Sequence, residues 1–371
     1  QKTAYEIPKR DWSSDVCSSD LPINGITVDI DGNARSTTPD IGADEFNLVL
    51  QANDAGVKDV ENPDTLCAGI HPVNVRIRNY GSATLTSATI NWKVNGVTQT
   101  PFAWSGSLAS LAVSNYVSIG NYNFGALDTF SIVAWTTNPN GATDTKPVND
   151  TAVINNILTR MAGVYTIGGT NPDFPTFVIA LQKIKSIGIC GPVTFNLRNG
   201  THPGPSNNIN SFVGMSAANT WTIQSESGDS NAVIISNNNS TATLLFNNCD
   251  YVTLKNIRVD TWASYDAVRF DNGSDYNKVT GCILNARLTI YYNSHHNLLE
   301  HNIVNGEIYL NAQSTVARDY GNIVRFNNIT YSQGIHTYYN DSLLIEGNNI
   351  TNPNTFSGSF GIKLLGDGSH F

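Results

Sequence analysis

The last third of the chain is written in short apolar bursts punctuated by Asn and Gly. Five of them read as one phrase: VTLKNI, NKVTGCI, NLLEHNI, NIVRFNNI and LLIEGNNI. They close on Ile257, Ile283, Ile303, Ile329 and Ile350, at spacings of 26, 20, 26 and 21 residues. Self-similarity at such a period marks a solenoid. The units are rich in Val, Ile, Leu and Asn and carry no helical stripe. Each is therefore expected to be one turn of a β-coil rather than a helical hairpin. Side chains alternate faces along a strand, and stacked strands lie about 4.8 Å apart, so equivalent positions of successive coils form columns. One strand per coil aligns through Val268, Leu288, Ile308, Ile335 and Ile362, with Phe270, Ile290, Leu310, Thr337 and Leu364 two residues further on. These are the expected inward columns. Asn272, Asn293 and Asn340 fall near strand ends, and Asn277, Asn297 and Asn322 open the strands that follow. Turn asparagines tolerate left-handed backbone and bond neighbouring backbone groups, so a structural Asn ladder is expected.

The pattern changes upstream. Phe177, Ala180, Leu181 and Ile184 recur at helical spacing within Phe174–Ile187, after a strand-like Val164–Ile167 and before GPVTFNL at Gly191. A short amphipathic helix is expected there, covering the open end of the coils, where unpaired backbone and apolar side chains would otherwise meet water. From Asn47 to about Asn156 the period is two. Strands are predicted at Asn47–Gln51, Pro72–Arg78, Thr89–Val94, Tyr116–Ile119 and Thr129–Trp135, with Val73, Val75 and Ile77 on one face and Asn74, Arg76 and Arg78 on the other. Val94-Asn95-Gly96-Val97 is a type I′ hairpin signal. Trp92, Trp104 and Trp135 are core candidates, and Asp144, Asn149 and Asp150 are expected to end the unit in a polar linker. The fold class expected is all-β, an immunoglobulin-like sandwich followed by a parallel β-helix with a short N-terminal capping helix.

Composition narrows the function. Only 14% of residues are charged, against about 25% in an average globular chain. The net charge of −9 and the lack of a basic stripe argue against a nucleic-acid partner. No run approaches the apolar length of a membrane span. Cys67, Cys190, Cys249 and Cys282 are far apart and without metal-ligand spacing, and are expected to be separate buried thiols; a Cys249–Cys282 bond is disfavoured by their different coil phases. Asp11–Leu21, DWSSDVCSSDL, back-translates into a common short-read sequencing adapter, so residues 1–21 are set aside from fold reasoning. With Gln1 at its start and a coil-like phrase at its end, the chain reads as a piece of a longer product.

These residues match the pattern of the right-handed parallel β-helix, and the chain resembles the pectate-lyase-like family over residues 163–371. Residues 47–158 are similar to adhesion-type Ig-like modules of secreted bacterial proteins. Residues 22–46 contain Asp29, Asp31, Gly32, Arg35, Asp40, Ile41, Gly42, Ala43 and Glu45, which resemble the closing phrase of a preceding β-helix in bacterial surface proteins. Asp29, Asp31 and Asp40 offer hard oxygens for Ca²⁺, or serve as turn caps with Arg35 paired to an acid. The resemblance implies an extracellular or outer-surface protein, either a non-catalytic adhesive or glycan-binding module or, alternatively, a polysaccharide lyase or glycoside hydrolase. It implies a polysaccharide or cell-surface glycan as partner, no nucleic acid, and no cofactor beyond a candidate Ca²⁺.

The candidate binding face lies outward on the aligned strands. One row is Arg269, Thr289, Tyr309, His336 and Lys363. A second is Asp271, Tyr291, Asn311, Tyr338 and Leu365, and a third includes Arg287 and Glu307. Tyrosines beside Arg, His and carboxylates suit a sugar platform; aromatic and β-branched residues also simply favour exposed strands. No acidic constellation of the hydrolase type is visible, so no catalytic residue is assigned. His295, His296 and His301 with Glu300 form a dense patch, read as a solvated turn or a metal site.

Overall fold

The computed structural model describes residues 27–28, 30–32, 34–35, 50–61, 66–237, 241–261, 266–314, 317–331, 333–351 and 359–366. The all-β expectation holds. Strands β1 (Ala55–Val60), β2 (Gly69–Asn79), β3 (Leu85–Val94), β4 (Val97–Thr98), β5 (Phe102–Leu108), β6 (Val117–Phe124), β7 (Thr129–Thr137) and β8 (Thr151–Leu158) form two antiparallel sheets. Their orders are β1-β2-β6 and β4-β3-β7-β8, with β5 paired to β3. Alternation decides which residues meet between the sheets: Val73, Val75 and Ile77 from β2 face Ile90, Trp92 and Val94 from β3 and Ile132 and Ala134 from β7, all buried. The hairpin turns at Asn95 and Gly96, both at positive φ, as a type I′ turn requires. Trp104 is buried, but Trp135 is half-buried on the outer face beneath Lys93. The expected strand at Asn47–Gln51 lies mostly outside the described residues, and β1 follows it. Asp144, Asn149 and Asp150 are no linker: β8 continues the second sheet beyond them.

Strand β9 (Met161–Ile167), helix α1 (Phe177–Ile187) and strand β10 (Ile189–Leu197) open the coils. Thr176 caps α1 by accepting from Ile179 N at 3.3 Å. Phe177, Ala180, Leu181, Ile184 and Ile187 are buried, covering the first coil as expected. Gly188 ends the helix at φ 73°, where a Cβ would sit 2.3 Å from Val213 O, so only glycine fits. Several contacts tie the sandwich to this end, among them a Lys183 Nζ bond to Leu127 O at 3.4 Å. Leu127 packs onto the β-helix core, and Cys67 is disulfide-bonded to Cys190. The expectation of four separate thiols therefore fails for this pair. Partners 123 residues apart leave no spacing signal, and the fold brings their Cα atoms to 5.8 Å. Cys249 and Cys282 remain buried free thiols, their pKa values pushed up to about 12 by burial.

Beyond β10 the chain winds through three parallel sheets of eight, seven and seven strands. The first sheet includes Val252–Lys255, Lys278–Thr280, Leu298–Glu300, Ile323–Arg325 and Leu344–Glu346. The third includes Asp266–Asp271, Arg287–Tyr291, Ile308–Asn311, Gln333–Tyr338 and Phe360–Leu365. The inward columns are as expected: Val268, Leu288, Ile308 and Ile335, and Phe270, Ile290, Leu310 and Thr337, are buried and in register. Ile362 and Leu364 keep the inward phase but are 49% and 42% exposed, because no described strand pairs beyond theirs. Each large aliphatic closed off from water contributes about 1.5–3 kcal/mol.

The repeat phrase needs a correction. Lys255, Thr280, Glu300, Arg325 and Glu346 are true register partners. Ile257 is thus equivalent to Cys282, Asn302 and Asn327, while Ile283 and Ile303 lie one residue later and Ile329 and Ile350 two. Burial agrees: Ile257 and Ile329 are fully buried and Ile303 is 42% exposed. What repeats at that corner is a side-chain ladder. Asn302 Oδ1 accepts from Cys282 N at 3.0 Å, and Asn327 Oδ1 accepts from Asn302 N at 3.0 Å. The Asn277, Asn297 and Asn322 ladder forms as expected: Asn297 Oδ1 accepts from Asn277 N at 2.9 Å and its Nδ2 donates to Ser274 O at 3.0 Å. Asn272, Asn293 and Asn340 do not share a column. Asn272 and Asn293 hold left-handed turn positions, while Asn340 follows Ser274, Ser294 and Asp319 in a third buried ladder.

Asn297→Ala leaves two buried backbone groups unpaired, each costing about 1–3 kcal/mol. Urea unfolding is expected to show a loss of about 3 kcal/mol. Burial raises the Asp319 pKa to about 7, with the Ser294 and Asn293 backbone bonds opposing it and Asp275 adding to it. The folded value lies above the ordinary one, so this carboxyl's contribution is full below about pH 4 and is lost as pH rises through about 7. Asp319→Asn, which repeats the Asn340 solution one coil early, is expected to flatten the melting temperature across that window and raise it at pH 8.

Candidate functional site

The outward face of the third sheet gathers the predicted residues. Arg269, Thr289, Tyr309, His336 and Lys363 are register partners in one row, and Tyr291, Asn311, Tyr338 and Leu365 in the next. Stacked strands thus place aromatic rings beside one another: Tyr309 lies 6.0 Å from Tyr291, 6.0 Å from Tyr338 and 5.3 Å from His336, centroid to centroid. Arg269 sits over Tyr291 at 4.3 Å, Arg287 over Tyr309 at 5.0 Å, and Lys363 over Phe360 at 5.3 Å. Such cation–π pairs hold rings and cations in fixed relation.

Beneath the rings runs an ion network that the sequence pattern hides. Arg287 Nε donates to Asp266 Oδ1 at 2.5 Å, and its Nη1 to Glu307 Oε1 at 3.1 Å. Thr289 Oγ1 donates to the same Asp266 oxygen at 2.8 Å, and Arg269 Nη2 to Asp271 Oδ2 at 2.6 Å. Asp266 is the residue missed. A bulge sets Asp266 and Ala267 against a single step of the neighbouring strand, so its column is broken in the sequence while its register partner is Arg287. Thr289 faces outward as expected but is fully buried under this network, so it presents nothing to a ligand. Asp271 and Glu307 are each 7% exposed.

Burial works against the Arg287 charge, and its bonds to Asp266 and Glu307 outweigh that and raise its pKa. Burial raises Glu307, with Arg287 pulling it back and Asp266 pushing it further. Burial, then the neighbouring Tyr291 and Tyr338, raises Tyr309 to about 12, so it stays a neutral donor. Burial, Lys363 and Arg287 all lower His336. Four buried polar atoms here lack a hydrogen-bond partner: Arg269 Nε, Asp271 Oδ1, Glu307 Oε2 and His336 Nε2. Buried polar atoms are nearly always paired, so these four are the unusual groups of this face. Arg287 and Glu307 also line a cleft of about 430 Å³ together with Thr261, Asn285, Asn305, Tyr331 and Gln333. Gly306 keeps its coil close to the one before: a Cβ there would lie 2.5 Å from Ala286 C.

Chemically, Asp266 is saturated by Arg287 and Thr289 and is suited to holding an arginine, not to moving a proton. Glu307 keeps one buried oxygen, Oε2, without a hydrogen-bond partner. The three carboxylates of this face, Asp266, Asp271 and Glu307, are gathered around two arginines, each engaged in at least one ion pair. The histidine patch disperses. His295 stacks on Tyr320 at 4.0 Å, His296 on Tyr276 at 4.9 Å and His301 on Phe326 at 5.3 Å. Glu300 is held by Lys278 at 2.6 Å and Arg325 at 2.8 Å. Tyr276 also stacks on Tyr251 at 5.3 Å, an exposed aromatic column on a turn that the strand-based reading passed over. Of the Ca²⁺ candidates near the start, Asp29 and Asp40 lie outside the described residues and Asp31 is exposed.

No protein-family model and no curated protein matches the chain. Among solved structures, the CARDB domain of the PF1109 protein from Pyrococcus furiosus, in complex with di-metal ions, is 18% identical over 30% of this chain and 93% of its own, with a TM-score of 0.25. The Yersinia enterocolitica family 28 exopolygalacturonase is 9% identical over 84% of this chain and 89% of its own, with a TM-score of 0.22. The Agl-KA catalytic domain is 10% identical over 86% of this chain and 82% of its own, with a TM-score of 0.21.

Arg287→Ala strands Asp266 and Glu307, and breaking a buried pair in this way costs about 3–5 kcal/mol. Lys363 pairs with no carboxylate within salt-bridge distance among the described residues. Lys363→Ala is therefore expected to leave the unfolding midpoint within about 0.5 kcal/mol of the parent while Arg287→Ala lowers it, in paired denaturant titrations.

Proposed function

We propose that this chain is a secreted or cell-surface protein whose β-helix face binds a polysaccharide without cleaving it, the Ig-like sandwich serving as a spacer. The observation that carries the reading is the cluster of Tyr309 with Tyr291 and Tyr338 from the adjacent row, held by Arg269 and Arg287 and edged by unpartnered buried polar atoms. Ring faces suit the apolar side of a pyranose, and the flanking donors and acceptors suit its hydroxyls or carboxylates. Preorganised cations and rings lose little freedom on binding, which favours affinity. The extracellular assignment is supported by the Cys67–Cys190 cystine, a bond that persists in oxidising compartments.

A second reading rests on Glu307. Its raised pKa and unpartnered Oε2, beside Arg287 in a polar cleft, suit a proton-transfer role in a lyase or hydrolase acting on the same face. Binding is preferred because Asp266, Asp271 and Glu307 are each engaged by an arginine.

Electrophoresis of the whole chain through gels containing polyuronates or neutral polysaccharides separates these readings when paired with size-exclusion analysis of the polymers. Retardation with intact polymer is expected, and Tyr309→Ala and Tyr338→Ala should each weaken it by about tenfold, or about 1.4 kcal/mol. No retardation across the panel overturns the binding role. New short oligosaccharides, abolished by Glu307→Gln, would install the enzyme reading instead.

A further inference from the structure

Three carboxylates far apart in sequence converge at one end of the sandwich. Asp54 precedes β1, Asp150 precedes β8, and Asp144 lies in the segment between β7 and β8. One oxygen from each lies within 4.8 Å of the others. Asp54 is 3% and Asp150 6% exposed. Buried carboxylates ordinarily sit against a cation or a set of donors. Here Asp54 Oδ1 and Asp150 Oδ1 are both buried without a hydrogen-bond partner. Asn149 donates its Nδ2 to Asp54 Oδ2 at 3.3 Å, and its own Oδ1 is also buried and unpartnered. Asp144 accepts from Ala55 N at 3.1 Å and Lys146 N at 2.8 Å, and the Lys146 charge acts on Asp54. Around the same point the backbone is drawn tight. Tyr80 N and Gly81 N both donate to Asp54 O at 2.9 Å, and Val57 N donates to Asp150 O at 2.9 Å.

We propose that Asp54, Asp144 and Asp150 form a Ca²⁺ site that clamps β1 of one sheet to β8 of the other, with Asn149 Oδ1 as a further ligand. The donors are all hard oxygens, with neither His nor Cys, which selects Ca²⁺ or Mg²⁺ over softer metals. Ca²⁺ accepts a flexible oxygen shell, whereas Mg²⁺ demands a near-octahedral one and keeps its waters, so a cage of protein oxygens favours Ca²⁺. Three carboxylates this close repel one another when charged. A divalent cation reverses that repulsion. The site is independent of the glycan-binding reading and stands or falls without it.

The test is Tb³⁺ luminescence on the whole chain, excited through tyrosine, since Tyr80 N donates to Asp54 O and the Tyr80 ring lies within reach of the Asp54 charge. It is paired with thermal unfolding in EGTA, CaCl₂ or MgCl₂. Expected is emission that Ca²⁺ displaces, with Ca²⁺ raising the sandwich melting temperature more than Mg²⁺ does. Asp144→Asn, at a half-exposed position, should weaken Tb³⁺ binding at least tenfold. Asp150→Asn should abolish the Ca²⁺ response yet melt no lower than the parent in EGTA, because it removes a buried charge. A purely structural acid would instead lower the EGTA melting temperature when replaced. Absence of Tb³⁺ binding overturns the site. So does a Ca²⁺ response that survives in Asp54→Asn, Asp144→Asn and Asp150→Asn alike.

Discussion

Everything in the β-helix depends on successive coils keeping one register. Parallel strands give evenly spaced hydrogen bonds that by themselves allow a coil to slide along its neighbour. Sliding is blocked at the corners, where buried side chains hand one bond to the next coil: Cys282 to Asn302 to Asn327, Asn277 to Asn297 to Asn322, and Ser274 to Ser294 to Asp319. A one-residue slip would break these and turn the inward columns outward. Asp319 takes part at the expense of a buried carboxyl, which is why its neighbours tolerate it best when protonated.

The same register produces the outward face. Columns that place Phe270, Ile290 and Leu310 inside place Arg269, Thr289 and Tyr309 outside. The arginines serve both roles. Arg287 neutralises two nearly buried acids from below and carries a tyrosine ring above. Stability and surface chemistry are thereby coupled at Arg287 and separable at Lys363 and Tyr338, which lie at the rim.

Much of this was legible in the chain because β-coils repeat. The inward aliphatics, the outward rows, the asparagines at 277, 297 and 322, the capping helix and the Asn95-Gly96 hairpin all follow from period and turn chemistry. What escaped was aperiodic. Coil lengths that vary by several residues let a conserved-looking isoleucine drift across three positions, so Ile283 and Ile303 seemed equivalent to Ile257. A bulge detached Asp266 from its column. Cys67 with Cys190, and Asp54 with Asp144 and Asp150, are contacts of high sequence separation, which composition and spacing do not encode. The acidic group looked like linker because linkers and cation cages are built from the same residues.

The Cys67–Cys190 bond also sets how the molecule answers a pull. A force applied to the two chain ends enters at Cys67 and leaves at Cys190 through the sulfurs, so the 123-residue span between them feels no tension. Strands β2 to β9 and the capping helix are sheltered inside that closed loop. The coils beyond β10 are not, and they would peel away one turn at a time from the far end. Reducing a single bond would thus turn a short tether with an unspooling tail into one that also releases its sandwich.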